Sequence, residues 1–304
     1  TPYNILNGNP VLDGVNIISN KAHNDAEGNI GSVDNYLKTA VDYLEGTSGG
    51  DIRIFNTKDL TVGAVDKTIG LSSGGLLHLI VTGKLAVVEN IISQGDIILT
   101  TEDLAAEGQD IVINEGIAVE SQTSSLELQA GDNILLNIGA ILRAQTEVGL
   151  KIDYKDSGAV DADPGVGGYL GLLGSIQAPS LLITGQADDD EFLIKVETSL
   201  PNTRIEIYGN AGNDTFNLYS YKAELTINGN EGNDYFNLKF DELAKGDVTL
   251  NGNSGDDYYN LEFSPEYFEY VILNGDEGDD IFSFADGIVL NGKINGGTGL
   301  DTLD

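Results

Sequence analysis

The segment "NGNEGNDYFNL" at residues 228–238 has close copies on either side, "YGNAGNDTFNL" at 208–218 and "NGNSGDDYYNL" at 251–261. Aligned on the first glycine, the series runs Gly185, Gly209, Gly229, Gly252, Gly275 and Gly296, at intervals of 24, 20, 23, 23 and 21 residues. Fixed turn chemistry at a slightly variable interval describes one coil of a solenoid per repeat, with loops absorbing the differences in length.

The columns of the repeat give the coil its shape. Two residues before the glycine stand Ile183, Ile207, Ile227, Leu250, Leu273 and Ile294. Seven residues after it stand Phe192, Phe216, Phe236, Tyr259, Phe282 and Leu303, followed two further on by Ile194, Leu218, Leu238, Leu261 and Phe284. Alternation of this kind on both sides of a turn predicts two strands with one face inward. Asn217, Asn237, Asn260 and Ser283 lie between the apolar columns and are expected to face outward.

The sixth position of the turn is Asp190, Asp214, Asp234, Asp257, Asp280 and Asp301. An aspartate can cap a turn by accepting bonds from nearby backbone amides. Stacking adds a difficulty. Like residues of adjacent coils lie about 4.8 Å apart, and two carboxylates at that distance repel by roughly 3.5 kcal/mol at an effective dielectric of 20. A hard divalent cation with oxygen ligands relieves this, and calcium tolerates irregular mixtures of carboxylates and carbonyls. All six aspartates are therefore candidate metal ligands.

The turn resembles the G-G-x-G-x-D-x-U-x turn of repeats-in-toxin calcium-binding proteins. The resemblance implies that the aspartates and turn carbonyls bind calcium between coils and that the U residue enters the core. Asn210, Asn230, Asn253 and Asp276 replace the second glycine, and Asn and Asp are the residues best able to adopt its left-handed conformation. The motif recurs once per coil rather than every nine residues, which favours a larger helix with one calcium-binding edge. The order of elements also looks like that of modules in giant secreted bacterial β-strand-repeat proteins. That likeness rests on Ile30 to Gly63 and Ile176 to Asp304, and implies an adhesive or structural role at a cell surface.

Upstream, "GDIRIFNTKDLTVG", "GDIILTTEDL", "GQDIVINEGIAVES" and "SSLELQAGDNILLNIGAIL" are short β runs separated by Gly, Asp, Asn and Ser. They predict further parallel β-helix coils, with no helices between them to build a doubly wound sheet. One segment reads differently. From Ser32 to Gly46, apolar residues at 33, 36, 37, 40, 41 and 44 form a helical stripe, predicting a helix over about residues 32–45 that caps the solenoid. The expected organisation is an N-terminal lead-in and capping helix (1–50), coils without acidic turns (51–183) and calcium-binding coils (184–304), in one continuous all-β solenoid.

The chain has 49 acidic and 15 basic residues and a net charge of -34, which disfavours nucleic acid and anionic lipid and attracts cations. No stretch approaches the 18 or so apolar residues of a membrane-spanning helix. Cysteine is absent, excluding disulfides and thiol nucleophiles. Methionine is absent too, so the chain is expected to be a processed product or a piece of something longer.

Catalytic signals are weak. Arg53, Arg143 and Arg204 are scattered, and His23 and His78 lie far apart, with His78 expected on a half-buried strand. Asp156, Asp161 and Asp163, in the irregular stretch 153–171, lack the spacing of a calcium loop and read as a solvated surface. The expectation is an extracellular, calcium-stabilised structural or adhesive solenoid of bacterial type, not an enzyme. It would self-associate into a filament or lattice or adjoin sibling modules, with a glycan or cell surface as a further partner. The alternative is a carbohydrate-binding or carbohydrate-cleaving β-helix, with Tyr219, Tyr221, Tyr235 and Tyr258 as candidate contacts.

Overall fold

The computed structural model describes residues 14–66, 69–155, 159–195, 197–198, 203–219, 223–240, 246–263 and 270–304. It is an all-β parallel solenoid of about 11 turns, with no helix among the described residues. The first full coil comprises Ile52–Asn56, Leu60–Val62 and Leu71–Ser73, and the second Leu77–Val81, Leu85–Val87 and Ile91–Ser93. Each strand pairs in parallel with its counterpart one coil away, so the coils stack into three walls.

The first wall runs unbroken through the molecule. One inward column passes from Ile54 through Leu99, Leu150, Ile207 and Leu250 to Ile294, in register at every step. The second wall is equally continuous, but its inward column changes character. Leu60, Leu85, Ile111, Ile134 and Leu170 are followed by Phe192, Phe216, Phe236, Tyr259 and Phe282. The rings stack face to face with centroids 4.6–5.1 Å apart. Aromatic pairs prefer offset or edge contacts, so the spacing here is imposed by the backbone ladder. Burial of these side chains at 0–1% exposure stabilises by roughly 1.5–3 kcal/mol each.

Among the described residues the third wall is shorter than the other two. Its described strands run from Leu71–Ser73 through Ser175–Gln177 to Glu197–Thr198. From Arg204 onward, the described part of each coil holds two strands, one from each of the first two walls.

The capping helix is not present. Leu37–Ser48 is a single long strand that wraps the end of the solenoid. It pairs with all three walls in turn: Leu37 with Ile54, Tyr43 with Thr61, and Gly46 with Leu71. Ile17–Ala26 then pairs along it from outside. The helical stripe shares Leu37, Val41 and Leu44 with this arrangement, and these three are buried, while Val33 is 70% exposed. A helix laid across the end would satisfy its own backbone and leave the first coil's ladder groups unpaired. A wrapped strand satisfies both, and Thr39, Val41, Tyr43 and Thr47 suit it intrinsically.

Candidate functional site

The recurring turn joins the first wall to the second. Asn210, Asn230, Asn253 and Asp276 have φ of 82°, 81°, 76° and 73°, the left-handed conformation that Asn and Asp tolerate best after glycine. Two residues on, Gly212, Gly232, Gly255 and Gly278 also have positive φ. A side chain on Gly232, Gly255 or Gly278 would collide with the glycine carbonyl of the coil before. These glycines recur because the turns stack backbone on backbone.

The aspartates follow. Asp190, Asp214, Asp234, Asp257 and Asp280 are all at most 2% exposed, whereas Asp301, in the last coil, is exposed. Each reaches back along the solenoid axis. Oδ1 of Asp214 accepts the backbone N–H of Asp190 at 2.8 Å, and Asp234, Asp257 and Asp280 repeat this at 2.8, 2.8 and 2.9 Å. Asp301 closes the series on the Asp280 amide at 3.3 Å. Each carboxylate thus caps the turn of its neighbour, the role open to it on local chemistry alone.

The column extends further than the acidic repeat. Counting back two residues from the paired second-wall positions Ile134, Leu170 and Phe192 places Asp132, Gly168 and Asp190 in line. Asp132 Oδ2 accepts the N–H of Gln109 at 2.9 Å, just as the later aspartates do, and Gly168 donates its N–H to Asp190 Oδ1 at 2.6 Å. Asp132 was legible: it precedes inward Ile134 by two residues, as Asp214 precedes Phe216.

The second oxygen is where the column differs from ordinary capping. Oδ2 of Asp214, Asp234, Asp257 and Asp280 is buried without a hydrogen-bond partner, while that of Asp190 accepts the Gln186 N–H at 2.9 Å. A Cβ on Gly209, Gly229, Gly252 or Gly275 would strike the Oδ2 of its own turn, so the first glycine of the motif makes room for the carboxylate. Burial, opposed by the amide bond, pushes Asp214 and Asp257 up to about 8 and Asp234 to about 6. A buried carboxylate with a bare oxygen requires either a proton or a cation. No three column carboxylates converge among the described residues, so a cation here would take about one carboxylate per coil and complete its shell with carbonyls. This donor set suits a hard divalent ion.

Set against known proteins, the chain matches no family model, no curated protein and no solved structure. The reading rests on its own geometry.

The remaining candidates are dispersed. Arg53 pairs with Asp51 at 2.5 Å, Arg143 with Glu120 at 2.5 Å and Arg204 with Glu206. His78 Nδ1 lies 2.6 Å from the Tyr36 hydroxyl on the outside of the first wall. His23 faces Glu45 and Asp66, but the Glu45 oxygens already accept the amides of Val65 and Asp66. Asp156 lies outside the described residues. Among the described residues, Asp161 belongs to two acidic groups, one with Asp103 and Asp163 and one with Asp153 and Asp188. Tyr235 and Tyr258 stack 5.0 Å apart on the outer face of the second wall, while Tyr221 lies outside the described residues.

Proposed function

We propose that this chain is an extracellular structural or adhesive β-solenoid whose acidic coils are locked by calcium along the aspartate column. The observation that carries the reading is the set of four buried Oδ2 atoms, one per coil and in register, with no partner. Each is an acceptor held in place by its glycine, and the other oxygen of its carboxylate accepts an amide of the coil before. Without a counter-ion such a column repels itself. With calcium at each turn it becomes a tie between coils.

The cytosol, where calcium is scarce, would leave these coils loose. Outside the cell, at millimolar calcium, sites with dissociation constants of about 0.1–1 mM would fill and close them. The protein would then work by being rigid, long and acidic. Sibling copies or neighbouring modules are the partners such a shape suits, because a solenoid wall can be continued by another strand.

The test is thermal melting followed by circular dichroism in EGTA and under calcium titration, with magnesium as control. A calcium-selective rise in Tm and β signal is expected. Identical melts in EGTA and calcium would overturn the reading. A second reading, glycan binding, draws on the stacked pair Tyr235 and Tyr258, of which Tyr235 is 36% exposed. Unchanged binding to a glycan array after replacing both with alanine would remove it.

A further inference from the structure

The aspartate column is interrupted once. At Gly168 the position has no side chain, and a Cβ there would press on the Asp153 amide nitrogen and the Asp132 carbonyl, each 2.8 Å away. The chain reaches this point by its longest detour, from the end of Glu147–Lys151 to the start of Tyr169–Leu172. Where the column lacks a carboxylate, the detour supplies others.

Asp153 begins the detour, with its N–H bonded to the Asp132 carbonyl at 3.1 Å. It is 2% exposed, and its Oδ2 has no hydrogen-bond partner. Asp161 returns from the far side of the loop. Asp188 comes from the first acidic turn, at the position later turns give to Gly212, Gly232, Gly255 and Gly278. Its Oδ2 is likewise buried and unpartnered. One oxygen from each of the three lies within 4.8 Å of the others. Oxygens sharing one calcium at 2.3–2.6 Å can be at most about 5.2 Å apart, so the group is already at coordinating separation.

Charge points the same way. Lys155 pairs with one of the three, its Nζ lying 2.9 Å from Asp161 Oδ2. With all three carboxylates ionised, one ammonium leaves two negative charges at the site, and Asp153 and Asp188 each keep a bare oxygen.

We propose that Asp153, Asp161 and Asp188 form a discrete calcium site, separate from the column, that staples the 152–168 connection to the first acidic turn. It explains why the first turn carries Asp188 instead of glycine. It also gives the junction between the coils without acidic turns and those with them a tie where the column has none.

The experiment counts calcium bound per chain by mass spectrometry of the desalted full-length protein and maps limited proteolysis of the loop with and without calcium chloride. Asp153→Asn is expected to lose one calcium per chain and the calcium-dependent protection of bonds between 154 and 167. The fourfold variant D214N/D234N/D257N/D280N is expected to keep that one calcium and that protection, so the local site and the column can fail separately. An Asp153→Asn protein with unchanged stoichiometry and protection overturns the proposal. So does wild-type protein whose loop is cut equally fast in calcium and in EGTA, a readout that stands even if the variant does not fold.

Discussion

Early and late coils both bury a polar side chain at a corner, and they use different chemistry. At the corner from the third wall back to the first, Ser48, Ser73 and Ser121 donate Oγ–H to the carbonyls of Gly28, Gly50 and Gly95 at 2.6, 2.8 and 2.8 Å, and Ser93 does the same to Gly75. Ser73 Oγ also accepts the Gly75 N–H at 3.2 Å. At the corner from the first wall to the second, the late coils use aspartates that accept one amide each and leave an oxygen bare. A hydroxyl both donates and accepts, so a column of serines satisfies itself. An ionised carboxylate only accepts, so a column of aspartates accumulates charge that something else must neutralise. The serine corners of the early coils satisfy both roles of the hydroxyl, while the aspartate corners of the late coils leave one buried carboxylate oxygen per turn without a partner.

The largest consequence concerns calcium. Sites at ten times their dissociation constant contribute about 1.4 kcal/mol each. Chelation should therefore lower the opening free energy of strands within 204–298 by about 6 kcal/mol, if four sites empty. Hydrogen exchange read by mass spectrometry should show that loss there and little change within 52–143. Equal responses in both regions would erase the contrast.

Next in size is the pair of substitutions at Asp234. Asp234→Asn keeps an oxygen for the Asp214 amide and removes the charge. It should cost about 1–3 kcal/mol in calcium but raise Tm in EGTA, where the buried charge is a liability. Asp234→Ala leaves that amide without its acceptor and should lower Tm in both. If Asp234→Asn shifts Tm in the same direction in both buffers, the column is a cap and nothing more.

Acidity should act in the same sense as removing charge. Burial raises the folded-state values of Asp190, Asp214, Asp234 and Asp257 to about 7, 8, 6 and 8, from an ordinary 3.8. Between those limits the folded chain binds more protons than the unfolded one, so stability in EGTA should increase as pH falls from about 8 towards 4. Calcium should oppose this trend, since protons displace it. Denaturant melts across that range, with and without calcium, provide the check; a stability that falls with acidity in EGTA would contradict it.

Two smaller effects separate the regions further. Ser93→Ala should cost about 1 kcal/mol, equally in calcium and EGTA. Asn230→Gly should be nearly neutral, whereas Asn230→Ala, forced to a φ of 81°, should cost about 1–2 kcal/mol. Chemical denaturation of the three variants in both buffers measures each.

Much of this was legible along the chain. The Ile207, Phe216 and Leu218 columns could be read because a fixed turn separates two short period-two runs. The outward Asn217–Asn237–Asn260 column was legible too, and its amides bond at 3.0 and 3.1 Å. Ser32 to Gly46 misled because Leu37, Val41 and Leu44 satisfy both periods, and nothing within the segment shows that three walls wait to pair with it. Asp161 and Asp188 could not be joined because 26 intervening positions separate them, and a detour of irregular length carries no register.

The residues in their order suffice for the coil: where each strand lies, which face is apolar and why the turn needs glycine, asparagine and aspartate. These are local demands of φ, pattern and turn chemistry. Stacking settled the rest. It buried the aspartates and bared their second oxygens, made a strand of the cap and gathered Asp153, Asp161 and Asp188. Those outcomes depend on what lies one coil away, and along the chain that neighbour is 17 or more residues distant.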